Sequence, residues 1–229
     1  MQVDNVVQMD TVVSSEQTNR VLRNTYMMLG LTMIPTVIGA LFGMSMNFSF
    51  MAEHPIIGTL GILAVMFGMF FAIQATRNSS LGVVLLLALT GFMGLMLGPI
   101  LQVAMGLSNG GEIVGLAAGG TGAIFLTLAG IATTTKKDFS FMGKFLLVGI
   151  ILLIVASLAN LFFQIPALSL ALSGVAVLLF SGFLLYDVSR VVNGGETNYV
   201  MATLSIYLSI YNIFVNLLQL LMAFMGDRE

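Results

Sequence analysis

Apolar residues dominate seven stretches of the chain, at about 25–46, 55–75, 81–105, 113–134, 144–164, 166–187 and 201–225. Each approaches or exceeds the roughly 20 residues that a helix needs to cross the hydrocarbon core of a bilayer. The polar breaks between them are NFSFMAEH, TRNSS, GLSNGGE, TKKDFSFMG, QIP and SRVVNGGETNY. Breaks this short join antiparallel neighbours. The pattern predicts an all-α integral membrane protein, a bundle of seven transmembrane helices. Pro55 and Pro166 stand where a helix would begin, where a missing N–H costs little. Pro35 and Pro99 lie inside spans and should kink them.

The seventh stretch has an inner pattern of its own. Ser205, Ser209, Asn212, Asn216 and Gln219 follow one another at spacings of 4, 3, 4 and 3 residues. On a helix they stay within an arc of about 80°. Such a stripe will not face lipid, because an unpaired amide there costs several kcal/mol. The C-terminal helix is therefore expected at the centre, surrounded by the other six. The stripe is either a hydrogen-bonded face that holds the bundle together or the lining of a hydrated path. Tyr207, Tyr211, Phe214, Leu218 and Leu221 form a second row. Ser157, Asn160 and Gln164 make a shorter stripe on the fifth span, expected to pair with the outer half of the central face.

Composition supports the class and removes others. Hydrophobic residues make up 58% of the chain and charged residues 8%, against roughly 25% charged in a soluble domain. The net charge of −2 leaves no basic patch for nucleic acid. With no Cys, disulfides and thiolate chemistry are excluded. His54, the single histidine, reads as a turn residue beside Glu53. No HExxH, GxSxG or paired-glutamate motif occurs, so no catalytic residue, metal ligand or cofactor is assigned. AAGGTG (117–122) lacks the GK[ST] ending of a phosphate loop and falls inside a span. GxxxG pairs at Gly39/Gly43, Gly94/Gly98 and Gly115/Gly119 suit close helix packing.

Residues 1–20 read as a polar cytoplasmic tail and 21–229 as the seven-helix domain. The tail opens acidic and stays polar, unlike a signal peptide, with a weak helical rhythm of valine and methionine. Arg20, Arg23, Arg77, Lys136, Lys137, Lys144 and Arg190 fall on one side of the seven crossings, and Arg228 on the other. This bias sets the N-terminus in the cytoplasm and the C-terminus outside. A re-entrant seventh stretch is the alternative.

Asp187 closes the sixth apolar run. It is either an interfacial residue that ends the helix, with Arg190 as a local partner, or a titratable gate. In the second case burial opposes a neighbouring cation, Arg77 or Arg190. The candidate gating set is Asp187, Ser209, Asn212, Arg77 and Arg190.

Several runs carry a resemblance to a known family: VLRNTY before the first span, TGFMGLMLGPIL in the third, TTKKDFSFMG in the fourth loop, ANLFFQIPALSLALS, and GGETNYVMATLSIYLSIYNIFVNLL. They resemble the Bax inhibitor family, and within it the bacterial YccA branch. The resemblance implies a seven-helix fold with the last helix in the centre. In the pH-sensitive calcium-leak members the sensor is a carboxylate dyad; Asp187 matches its first member, and the second falls on Ser209. A lone carboxylate loses the coupled titration of a dyad, which puts a calcium role in doubt and leaves it open. The branch implies a non-enzymatic regulator in the bacterial inner membrane. Such a regulator binds the FtsH protease and its companion complex HflK–HflC and acts as a slowly degraded competitor. The alternative is a pH-gated calcium or ion leak.

Overall fold

A computed structural model describes residues 2–49, 53–135 and 137–226. Lys136 and Arg228 of the orientation argument lie outside the described residues. The helices are α1 (Gln2–Ser45), α2 (Pro55–Thr76), α3 (Ser80–Met96), α4 (Gly98–Met105), α5 (Gly110–Thr135), α6 (Met142–Phe163), α7 (Pro166–Val192) and α8 (Tyr199–Met225). No strand occurs among the described residues. With α3 and α4 taken together, seven segments among the described residues are long and apolar enough to cross a membrane.

The prolines act as their chemistry dictates, with one departure. Pro55 and Pro166 open α2 and α7. α1 runs through Pro35 without ending. Pro99 does more than kink its span. The third crossing breaks at Leu97, and Pro99 sits in the first turn of a new helix, where its missing N–H is no loss.

α1 starts well before the bilayer. The backbone is helical from Gln2, so the weak apolar rhythm of residues 1–20 is the rhythm of a helix continuous with the first span. At 1.5 Å per residue, α1 is about 66 Å long, roughly twice the hydrocarbon thickness.

α8 is central. It packs against α1, α3, α4, α5 and α7, and none of its residues from Tyr199 to Met222 is exposed. It is not ringed by all six other spans. α2 packs chiefly on α3 and α6 on α7, and within α6 only Leu146 is buried. These two helices form the outer layer.

The tightest contact joins α1 to α3 and α4, and glycine makes it possible. A Cβ on Gly39 would overlap the carbonyl of Gly91, one on Gly43 the carbonyl of Leu95, one on Gly94 the carbonyl of Thr36, and one on Gly98 that of Gly43. Two of the three GxxxG pairs are therefore spent on backbone-to-backbone approach. The third is not: a Cβ on Gly115 or Gly119 would meet nothing within 4 Å. The end of α1 is closed by Gln102, whose amide donates to the carbonyls of Gly43, Met44 and Met46 at 3.2, 3.0 and 2.9 Å. Those are the orphan acceptors of a helix C-terminus.

Candidate functional site

The loop between α7 and α8 gathers the polar chemistry at one end of the bundle. α7 does not stop at Asp187 but continues to Val192, which sets the carboxylate about 7.5 Å inside the helix end. Val188, Ser189 and Val191 around it are buried. There the carboxylate lies against α8 and close to Ser205, whose hydroxyl donates to the Ala202 carbonyl of its own helix at 3.2 Å.

The residues expected to join Asp187 divide. Arg190 lies near enough for its charge to act on Asp187, as does Glu196. Its hydrogen bond and ion pair go elsewhere: to the Gly195 carbonyl at 3.2 Å and the Glu196 carboxylate at 3.8 Å. Its guanidinium also sits 5.6 Å from the centre of the Tyr186 ring. The expected local pair of Asp187 with Arg190 is thus replaced by one with Glu196, which the turn at Gly194 (φ 75°) folds back toward the helix end. Arg77 is exposed, and its charge is not among those acting on Asp187. Ser209 is buried, one turn further along α8 than Ser205.

The stripe on α8 also divides. Asn212 donates to the Leu208 carbonyl and Asn216 to the Asn212 carbonyl, each at 2.8 Å. Both bonds stay within α8. One member bonds to α7: Gln219, which accepts from Ser173 at 3.0 Å. Bonds from α8 to α1 and α3 come instead from the second row and from Thr203, whose hydroxyl donates to the Thr25 carbonyl at 3.4 Å. The Tyr207 hydroxyl is 2.8 Å from that of Thr36 and 3.4 Å from the Thr90 carbonyl. The Tyr211 hydroxyl donates to the Met93 carbonyl at 3.1 Å. Asn160 takes no part in the central face. Its carboxamide oxygen accepts from the Ile165 N–H at 3.0 Å, while Ser157 and Gln164 are exposed.

Three residues that the sequence reading passed over hold this end together. Asn198 caps α8, accepting from the N–H groups of Val200 and Met201 at 3.1 and 3.0 Å. Its amide also donates to the Arg77 carbonyl at 3.1 Å and to the Asn78 side chain at 2.8 Å. Ser189 donates to the Lys137 carbonyl and accepts from the Phe139 N–H, both at 3.0 Å. Asn193 donates to the same Lys137 carbonyl at 3.2 Å. The α7–α8 loop is thus a bracket that holds the α2–α3 turn on one side and the α5–α6 loop on the other. Within the latter, the Ser140 hydroxyl and N–H hold the Asp138 carboxyl below the usual carboxylate range. An Asn directly before an apolar run was the available sign of the α8 cap. Among the described residues no group of three or more His, Cys, Asp or Glu comes together as a metal site.

Comparison with known proteins gives this arrangement its relatives. The family model described as inhibitor of apoptosis-promoting Bax1 matches residues 18–226. The protein named Modulator of FtsH protease YccA, from Escherichia coli strain K12, is 40% identical over 220 residues, 93% of this chain and 97% of its own. The Inner membrane protein YccA of Escherichia coli O6:H1 shows the same identity and coverage. A membrane protein of Vibrio cholerae is 43% identical over 205 residues, 90% of each chain. A family match over nearly the whole chain, on a seven-span helical bundle with its last helix at the centre, leaves one conclusion: the chain belongs to the Bax inhibitor family.

Proposed function

We propose that this protein is a non-enzymatic regulator of the FtsH membrane protease in the bacterial inner membrane, bound as a slowly degraded competitor of other membrane substrates. The observation that carries the reading is the 40% identity, over almost the full length of both chains, to a protein named Modulator of FtsH protease. The fold is compatible with slow degradation. Extraction must separate α1 from α3 and α4, where glycines bring backbones into contact, and must break the loop bracket. The helical extension of α1 suits a protease that pulls from an end, because a short helix held by its own hydrogen bonds alone is only marginally stable in water. HflK–HflC joins the proposal as a companion of the protease. The N-terminus is assigned to the cytoplasm and the C-terminus to the periplasm on the distribution of basic residues.

Capture of the full-length chain from native membranes in mild detergent should bring FtsH with it, and overproduction should slow the decay of another FtsH membrane substrate. Failure of both removes the reading. Deleting residues 2–18 should leave insertion intact and lengthen the protein's lifetime in cells with active FtsH; equal decay in pulse-chase would take the extension out of the mechanism. A reporter after Glu229 should read periplasmic and one before Met1 cytoplasmic. Two cytoplasmic readings would reinstate a re-entrant seventh segment.

The second reading, a pH-gated ion leak, has one observation in its favour. Asp187 of α7 lies close to Ser205 of the polar stripe on α8. A calcium-flux assay on reconstituted protein separates the two readings.

A further inference from the structure

Between α1 and α5 lies a cleft of about 1000 Å³. Its floor is α8, with Tyr207 and Phe214, and its walls are α1 and α5. The walls do not pack along their lengths; Tyr26 and Phe125 bridge them, ring centroids 6.2 Å apart. Gly30, Gly122 and Gly130 line the cleft, and a Cβ on any of them would meet nothing within 4 Å. Val37, Leu41 and Leu126 on its rim are exposed, so it opens sideways onto lipid.

Toward the N-terminal end of α1 the chemistry changes. A second hollow, of about 600 Å³, is lined by Glu16, Gln17, Asn19, Arg20 and Arg23. Arg23 precedes Tyr26 by three residues and Gly30 by seven, which sets it on the cleft-facing side of α1.

We propose that the two hollows together form a site for one anionic phospholipid, in the leaflet at the N-terminal end of α1. An acyl chain enters the cleft beside Tyr26 and Phe125, and the phosphate headgroup is held by Arg20 and Arg23. An apolar groove headed by cationic side chains complements an anionic amphiphile, and Glu16 is outnumbered there by the two arginines. The dimensions favour a chain over a helix. Spread along the ~27 Å between Tyr26 and Met44, about 1000 Å³ gives a cross-section of roughly 40 Å². That is about half the area of a helix with its side chains.

The test uses the purified full-length chain, delipidated and offered phosphatidylglycerol or phosphatidylcholine with identical acyl chains, with retained lipid counted by native mass spectrometry. Phosphatidylglycerol should be retained preferentially. Replacing both arginines (Arg20→Gln with Arg23→Gln) should cut that preference by about 25-fold, since each basic residue near an anionic surface is worth about fivefold. Gly122→Leu fills open space, so it should fold normally yet retain neither lipid; Gly30→Leu serves if that variant does not fold. Equal retention of the two lipids by the unaltered chain overturns the proposal, as does full retention by the folded arginine or glycine variants. Displacement of the headgroup by inorganic phosphate with no effect of Gly122→Leu would mean an ion site only. A dimer that Gly122→Leu dissolves would mean that a second copy fills the cleft. Either result also overturns it.

Discussion

Asn198 does two jobs, and they can be separated by one atom. Its carboxamide oxygen caps α8, and its nitrogen donates to the Arg77 carbonyl and the Asn78 side chain. Asn198→Ala removes both functions. Loss of an N-cap costs about 1 kcal/mol. The two bridging bonds add about 0.5 kcal/mol each, at the low end for hydrogen bonds because the freed groups can reach water. The total is about 2 kcal/mol, which in a domain of this size corresponds to a fall of about 4–8 °C in the unfolding midpoint. Asn198→Asp keeps the cap, and its charge suits a helix N-terminus, but it has no N–H to hold the α2–α3 turn. It should lose about 1 kcal/mol or less. Both variants should raise amide hydrogen exchange over residues 77–82. Thermal unfolding in detergent and exchange by mass spectrometry read the two effects independently. If Asn198→Asp is as unstable as Asn198→Ala, or exchange in the turn stays unchanged in both, the bracket does not work as argued.

The glycines give a prediction of opposite signs. Gly94→Ala drives a Cβ into the Thr36 carbonyl and should destabilise by about 1–3 kcal/mol, whereas Gly115→Ala enters open space and should gain up to about 1 kcal/mol of helix propensity; thermal unfolding compares them. Asp187→Asn keeps the size of the side chain, and Arg190 pairs with Glu196, so folding and protease modulation should change little. A pH-dependent calcium flux that this variant abolishes would establish the leak instead. Tyr211→Phe, which frees the Met93 carbonyl, should cost about 1 kcal/mol or more. Asn216→Leu should cost less, because the Asn212 carbonyl keeps its place in the helix backbone; denaturation in mixed detergent micelles ranks the pair.

The crossings were legible because span length and hydropathy are properties of each segment alone. The starts at Pro55 and Pro166 were legible because proline fixes its own φ and lacks a donor. The centrality of α8 followed from the cost of amides in lipid. What could not be read depends on partners remote in sequence. Ser205 lies 18 positions from Asp187 and Ser209 lies 22; only the packing of α7 on α8 decides which serine lies near the carboxylate. Likewise nothing local to Gly39 or Gly115 says that one is pressed against a carbonyl while the other faces open space. The bracket was half visible. Asn198 carries the sign of a cap, but its bonds to residues 77 and 78 need the fold.

The two rows of α8 settle how the polar stripe should be understood. A membrane helix gains from a polar side chain when that side chain bonds to another helix, since lipid offers no competing partner. Tyr207 and Tyr211 meet this condition at α1 and α3, and a long aromatic arm is what lets a hydroxyl cross the gap. Asn212 and Asn216 turn back on their own helix, so they lower the cost of their own burial without tying α8 to a neighbour. The stripe therefore bonds α8 to α7 through Gln219, near one end of the contact. Along the rest of that contact Asn212 and Asn216 bond within α8, and its cohesion rests on packing. The carboxylate of Asp187, close to Ser205 at the other end, therefore sits where packing and the loop bracket, rather than the stripe, hold α7 against α8.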